Sequence, residues 1–171
     1  MSRKNSVESG PALKAGRRHR CVQSERGVAL VEFALVAPLL MLLLLGMIDL
    51  GKAFNYWIDE THLANVAARF AAVDRNPGPG GTLQESVQGQ ADTGELKNGG
   101  TASVPAGAQV CINFPDGTSG VGDPVEATVS VDYNWMPFIG DALGGATTTT
   151  LTGSATMRLE AEPSEYSEGC S

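Results

Sequence analysis

The sequence has few of the residues that usually carry catalysis or metal binding. It contains two histidines, His19 and His62, and three cysteines, which do not form the CxxC pattern of zinc or redox sites. It has no nucleophile elbow, P-loop or HExxH motif, and no spacing arranges its serines and aspartates as a triad. The sequence therefore predicts a chain that is not an enzyme, with no catalytic residue, no metal, no cofactor and no small-molecule substrate.

Basic charge is scarce beyond the N-terminal tail. Residues 1–27 carry seven basic and two acidic side chains, whereas residues 49–171 carry five basic and sixteen acidic ones. The acidic body would repel phosphate, which argues against nucleic acid as a partner. A basic head, an uncharged middle and an acidic body form the charge pattern of a membrane-inserted protein.

The uncharged middle is one long apolar run. Residues 28–48 read VALVEFALVAPLLMLLLLGMI, with a single ionisable side chain. Crossing a bilayer takes about 20 mostly apolar residues, and residues 39–45 have no polar face, so a membrane span is favoured over a buried core helix. The positive-inside rule places residues 1–27 in the cytoplasm and residues 49–171 outside. The prediction is a single-pass protein of the cytoplasmic (inner) membrane.

A cleaved secretory signal peptide is the nearest alternative to this anchor. The basic start and the apolar run would suit it. The exit GMIDLGKAF, at residues 46–54, lacks a small-x-small cleavage site. Cys21 precedes the apolar run, which is the wrong side for lipoprotein-type acylation. The anchor is therefore preferred.

Two residues inside the apolar run need an explanation. Glu32 places a carboxylate at membrane depth, which is costly and marks a functional hypothesis, although a Glu near the interface can also snorkel or be protonated. If the chain were cut after Gly27, the new ammonium of Val28 would need a negative partner, and Glu32 of a neighbouring subunit could supply it. Pro38 predicts a bend, because proline removes a backbone donor from the helix.

The border of the apolar run resembles a known family. Residues 26–38 read RGVALVEFALVAP, and residues 46–51, after a leucine-rich stretch, read GMIDLG. A Gly before the core, a Glu-Phe pair, a nearby Pro and an Asp-x-Gly exit are similar to the TadE-like family, the minor pilins or pseudopilins of the Flp/Tad pilus assembly system. The resemblance implies cleavage between Gly27 and Val28 by a prepilin peptidase. It also implies that Glu32 and Phe33 set helix pairing and register with other pilin-like subunits and the Tad-type assembly machinery.

The segment after the span reads as a helical stem, residues 49–75. A single helix from about Val28 to Val73 would be about 68 Å long at 1.5 Å per residue. Its larger apolar residues recur at helical spacings and must be buried against the chain's own sheet or a neighbouring helix. They are Leu50, Phe54, Ile58, Val66, Phe70 and Val73, with Leu63 nearby. Tyr56 and Trp57 fit either interfacial aromatics or ordinary packing residues.

The remainder predicts a small sheet. Residues 76–107 are rich in Gly and Pro and read as loop, with one short helix near residues 83–90. Within residues 108–160, three strands are expected at 108–114, 125–133 and 147–160, the last two with clean alternation. Residues 161–171 read as an acidic flexible tail. The fold class is α+β, a long N-terminal transmembrane and amphipathic helix packed on a small antiparallel β-sheet, as in pilins.

Two groups of polar or sulfur-containing residues leave alternatives open. Cys111 and Cys170 both lie outside the membrane, where disulfides persist, and could pair or remain free. Asp59 and His62 share a helical face and could form a weak metal site with Glu60, but a solvated polar face is the stronger interpretation.

Two functions from different classes follow from these features. The first is a minor pilin-like structural protein of Flp/Tad-type pilus biogenesis, inserted through its N-terminal helix and processed after Gly27. The second is a signal-anchored extracytoplasmic binding module that is neither processed nor part of a pilus. The N-terminus of the mature protein discriminates between them.

Overall fold

The computed structural model describes residues 23–79, 81–136 and 148–171, with side chains from residue 27 onward. Residues 1–22 of the predicted tail, including Cys21, lie outside this part. The chain divides into two units, residues 1–41 and residues 42–171, and each is described by itself. The elements in chain order are α1 (Gln23–Ala72), α2 (Leu83–Gln88), α3 (Gly94–Asn98), β1 (Gln109–Asn113), β2 (Pro124–Asn134), β3 (Thr148–Arg158) and β4 (Gly169–Cys170).

Helix α1 is longer at its start than the sequence predicted. It begins at Gln23 rather than near Val28, and it contains Gly27 and Pro38. A helical glycine costs only about 1 kcal/mol relative to alanine, and Gln, Glu and Arg around it favour helix. The helix ends at Ala72, and Asp74 adopts a left-handed backbone with φ of 47°. The Pro- and Gly-rich segment that follows then prevents its continuation.

The region predicted as loop holds two short helices. Helix α2 begins with a capping box, in which the Thr82 hydroxyl accepts from the Glu85 N–H and the Glu85 carboxylate accepts from the Thr82 N–H. Helix α3 is capped by Thr93, whose hydroxyl accepts a hydrogen bond from the Leu96 N–H. The expected helix near residues 83–90 is α2, and α3 was not predicted, because five residues are too few to show a helical period.

The sheet has four strands in the order β3-β2-β1-β4, and all neighbours are antiparallel. The first three strands form the predicted meander. The alternation in β2 is as expected, with Val125, Ala127, Val129, Val131 and Tyr133 buried. These side chains lie on one face of the sheet because successive strand residues point to opposite sides.

The face of α1 that packs on this sheet is not the predicted stripe of larger apolar residues. Leu50, Phe54, Ile58 and Val73 are exposed, while Val66 and Phe70 are half-buried. The large apolar residues of the buried face are Tyr56 and Leu63, and most of its other members are small. The small residues that are fully buried in α1 are Ala64, Ala67, Ala68 and Ala71. Small side chains let the helix approach the sheet closely. Which residues are buried here therefore depends on how closely helix and sheet can pack, and not on hydrophobicity alone.

Gly153 in β3 shows how close this approach is. A Cβ placed on Gly153 would lie 2.6 Å from the Thr61 nitrogen and 2.7 Å from the Glu60 carbonyl carbon. Both are backbone atoms, which cannot move aside as a flexible side chain can. Gly153 is therefore required by the contact between β3 and α1.

The C-terminal residues are docked, unlike the flexible tail expected over residues 161–171. Gly169 and Cys170 form β4 against β1. The Tyr166 ring packs against the core, and its hydroxyl donates to the Ala71 carbonyl at 2.9 Å. The acidic composition of this segment did not predict these contacts, because the groups that form them are one aromatic ring, one cysteine and backbone amides.

Candidate functional site

The predicted processing motif lies on α1 in the first unit. Gly27, Val28, Glu32 and Phe33 are all helical, and all four are exposed. Apart from the backbone of its own helix and its chain neighbours, nothing lies within 4 Å of a Cβ built on Gly27. The motif is therefore accessible in the isolated chain.

The apolar side chains that follow the motif are also exposed. Leu30, Leu35 and Met41 are each more than 60% exposed. One helix of the described residues, Gly27–Ala72, is long and apolar enough to cross a membrane, with a mean hydropathy of 2.7 in its most apolar window. Such all-round apolar exposure is typical of a helix surrounded by lipid or other helices. Together with its sequence pattern, α1 indicates a single-pass membrane protein.

Asp49 lies directly after the apolar run and is fully buried in the second unit. The Tyr133 hydroxyl donates to its Oδ1 atom, and the Met136 N–H donates to its Oδ2 atom at 3.0 Å. Both donors come from the end of β2 and the residues after it. Burial and the bond to Asp49 raise the pKa of Tyr133 above its usual range. The carboxylate is thus paired by the chain's own domain.

Asp59 and Glu60 are buried too, so the prediction of a solvated polar face is wrong for both. Asp59 accepts hydrogen bonds from the N–H groups of Asp92 (3.1 Å) and Thr93 (3.3 Å) and so holds the start of α3. The His62 side chain is exposed. Within the described part of the chain, no group of three or more His, Cys, Asp or Glu residues is placed to hold a metal ion.

Glu60 is the most unusual side chain of the domain. It is 0% exposed, and neither carboxylate oxygen has a hydrogen-bond partner among the described residues. Burial, with a smaller contribution from the Asp59 charge, raises its pKa from 4.5 to about 8. The side chain is consequently protonated at neutral pH. Its burial is consistent with its position in the 3–4 spacing of Ala53, Tyr56 and Ala64, a spacing that was available in the sequence.

Two anchors hold the C-terminal segment. Cys111 in β1 and Cys170 in β4 are directly opposite, with Cα atoms 4.0 Å apart and a bond between their sulfurs. The Asp74 carboxylate accepts from the N–H groups of Ser164 and Glu165, each at 2.8 Å. Partial burial opposes ionisation of Asp74, but the Ser164 hydroxyl and the two N–H groups bind the carboxylate and lower its pKa overall.

The fold and its helix define a class: a membrane-anchored α+β protein whose apolar helix continues into the core of a small extramembrane domain. The family model described as TadE-like protein matches residues 27–72, which lie within α1. The chain therefore carries a TadE-like segment, and the resemblance seen at residues 26–51 is confirmed. Comparison with curated proteins and with solved structures gives no match.

Proposed function

We propose that this chain is a minor pilin-like structural protein of Flp/Tad-type pilus biogenesis. The observation that carries the proposal is the TadE-like match over residues 27–72, which includes the Gly27 border, Glu32 and the stem. In this proposal residues 1–27 are cytoplasmic, the acidic domain lies outside the inner membrane, and the role is structural rather than catalytic. The partners are a prepilin peptidase, other pilin-like subunits and the Tad-type assembly machinery.

The proposed action of the N-terminal helix follows from its exposed side chains. Cleavage after Gly27 would leave the ammonium of Val28 one helical turn from Glu32. Both charges lie at the border of the lipid, where an unpaired charge is costly, so pairing between the ammonium of one subunit and Glu32 of the next would fix the axial register of neighbouring helices. Phe33 and the leucines beyond it would pack in that interface.

The first test is the intact mass and N-terminal sequence of the protein purified from native membranes. Processing predicts a chain that starts at Val28, with or without a methyl group. A chain that starts at Met1 or Ser2 would contradict processing and favour the unprocessed binding module.

The role of Glu32 needs a separate test with a matched control. Glu32→Ala should leave membrane insertion intact and impair pilus assembly. Glu25→Ala removes an acid seven residues earlier in the segment that cleavage discards, so it should assemble normally. Normal piliation in Glu32→Ala would contradict the pairing role.

A further inference from the structure

An apolar surface remains uncovered on the stem in the second unit. One side of α1 carries Leu50, Phe54, Trp57 and Ile58, which are between 48% and 64% exposed. Contiguous large apolar side chains are uncommon on a domain surrounded by water, and they mark an interaction surface. We call these four residues, together with Trp135, the seating surface.

A groove runs beside these residues. It has a volume of about 350 Å³ and is lined by Leu50, Ala53, Phe54 and Trp57 of α1, by Trp135 after β2 and by Leu151 of β3. All six lining residues are apolar. Trp135 uses its ring N–H internally, donating to the Thr149 hydroxyl at 2.9 Å. The groove therefore suits an apolar chain and offers no charged group to a polar ligand.

The place of this surface in the sequence indicates its occupant. About 20 residues cross the hydrocarbon of a bilayer. We count that length from Phe33 rather than from Val28, because with Glu32 at the cytoplasmic interface the uninterrupted apolar run begins at Phe33, and it then ends near Lys52. At 1.5 Å per residue, Phe54 and Trp57 then follow within about 8 Å, which is the depth of the interfacial layer. Tryptophan is enriched in that layer because its ring is amphipathic.

Asp49 is the one carboxylate that this placement would bring into the hydrocarbon. In the same count Asp49 falls before Lys52, at hydrocarbon depth, where a bare carboxylate would be costly. The structure buries Asp49 completely under the hydroxyl of Tyr133 and the N–H of Met136. The domain thus shields this carboxylate from lipid and lets the apolar residues beside it reach the membrane.

From these observations we propose that the seating surface inserts into the outer leaflet and that its groove holds a lipid acyl chain. The domain is then fixed against the bilayer rather than standing free on its stem. A second copy of the chain is a less suitable occupant, since residues 49–171 carry sixteen acids against five basic residues and like-charged domains repel. The inference rests on the membrane anchoring in the proposed function and is independent of the pilus role.

The chain supplies its own reporter for the test. Its two tryptophans are Trp57 and Trp135, so its intrinsic tryptophan emission comes from the seating surface alone. The full-length protein is reconstituted in phosphatidylcholine vesicles whose acyl chains carry bromine at a shallow position, and in matched vesicles without bromine. Insertion predicts loss of most of the emission in the brominated vesicles. The same loss is expected for Trp57→Phe and for Trp135→Phe, because each variant keeps one inserted tryptophan.

A pair of variants separates insertion from mere closeness to the anchor. Phe54→Ser places a hydroxyl in the groove and should weaken the quenching. Val121→Ser changes a side chain that is 65% exposed but lies outside the seating surface, and it should leave the quenching unchanged.

Two outcomes would overturn the inference in different ways. If the protein floats with the vesicles but keeps its emission in the brominated lipid, it is anchored without inserting this surface. If its emission instead changes with the number of protein molecules per vesicle, a second copy is the occupant. Protein that fails to float contradicts the membrane anchoring itself, and the proposed function fails with it.

Discussion

At the scale of single residues, Glu60 couples the stability of the domain to pH. Its pKa is about 8 in the folded chain against an ordinary value of 4.5. The folded state therefore holds this proton more tightly than the unfolded state does. The stabilisation is complete below pH 4.5, declines as the pH rises and is lost once the pH passes the folded pKa.

Glu60→Gln should remove this dependence, because a neutral amide cannot ionise. Relative to wild type, the free energy of unfolding of Glu60→Gln should rise by roughly 4 kcal/mol between pH 4.5 and pH 8, because 1.36 kcal/mol for each pKa unit applies in full only between the two half-titrated ends of this range. Urea unfolding at several pH values in that interval measures the difference. Glu126→Gln, at a half-buried position on β2, controls for the loss of a carboxylate elsewhere. A constant difference between Glu60→Gln and wild type across this range would contradict the assignment.

Gly153 makes a second prediction at this scale. Gly153→Ala forces a methyl group against the backbone of Glu60 and Thr61, and overpacking of this kind costs about 1–3 kcal/mol. Thermal or urea unfolding should show that loss. Gly94→Ala is the control, since nothing lies within 4 Å of its added Cβ. Equal stability of the two variants would mean that β3 can move away from α1 without cost.

At the scale of elements, Tyr133 joins the end of β2 to the start of the stem. Tyr133→Phe keeps the ring, which lies 5.1 Å from Trp135 between centroids, but removes the donor to the buried Asp49 carboxylate. The expected loss is about 1.5–3 kcal/mol, the range for a bond to a charged group. Tyr166→Phe removes a bond to the neutral carbonyl of Ala71 and should cost about 1 kcal/mol. Chemical unfolding of both variants tests the order, and a larger loss for Tyr166→Phe would contradict it.

Elements with a strong period were predictable from the sequence, and the packing between them was not. The alternation of residues 125–133 gave β2 with its buried face, and residues 147–160 gave most of β3. In the stem, two faces have a helical spacing, one made of large apolar residues and one made of alanines. The alanine face is the buried one, and the close approach of β3 at Gly153 that accompanies it shows only when β3 and α1 are already in contact.

The candidate site was predictable to a similar extent. Motif residues Gly27, Glu32 and Pro38 stand out by their positions in an apolar run, and the family match covers them. Glu60 was interpreted as a solvated residue, because a charged side chain is buried only rarely. Glu60 is buried without a hydrogen-bond partner because α1 and β3 lie close together. No local sequence pattern predicts that contact between distant elements.

At the scale of the whole molecule, the bond between Cys111 and Cys170 closes a loop with a sequence separation of 59 residues. A loop of this length restricts the unfolded chain and contributes about 4 kcal/mol to the free energy of unfolding. The double variant Cys111→Ser/Cys170→Ser should lose about that amount, and reduced wild type should match it. Cys21→Ser, which changes the third cysteine, should unfold like wild type. Unfolding that is insensitive to reduction would contradict a stabilising role for this bond.

The burial of Asp49, Tyr56 and the alanines of α1 has a consequence for shedding. The anchor helix is also one wall of the domain's core, so a protease that cut the stem beyond Asp49 would carry part of that core away with the anchor. The severed sheet would expose its apolar face and unfold instead of diffusing off as an intact ectodomain. A soluble fragment can stay folded only if it keeps Asp49 and the whole helix after it. Release of a folded domain therefore requires a cut that lies before Asp49.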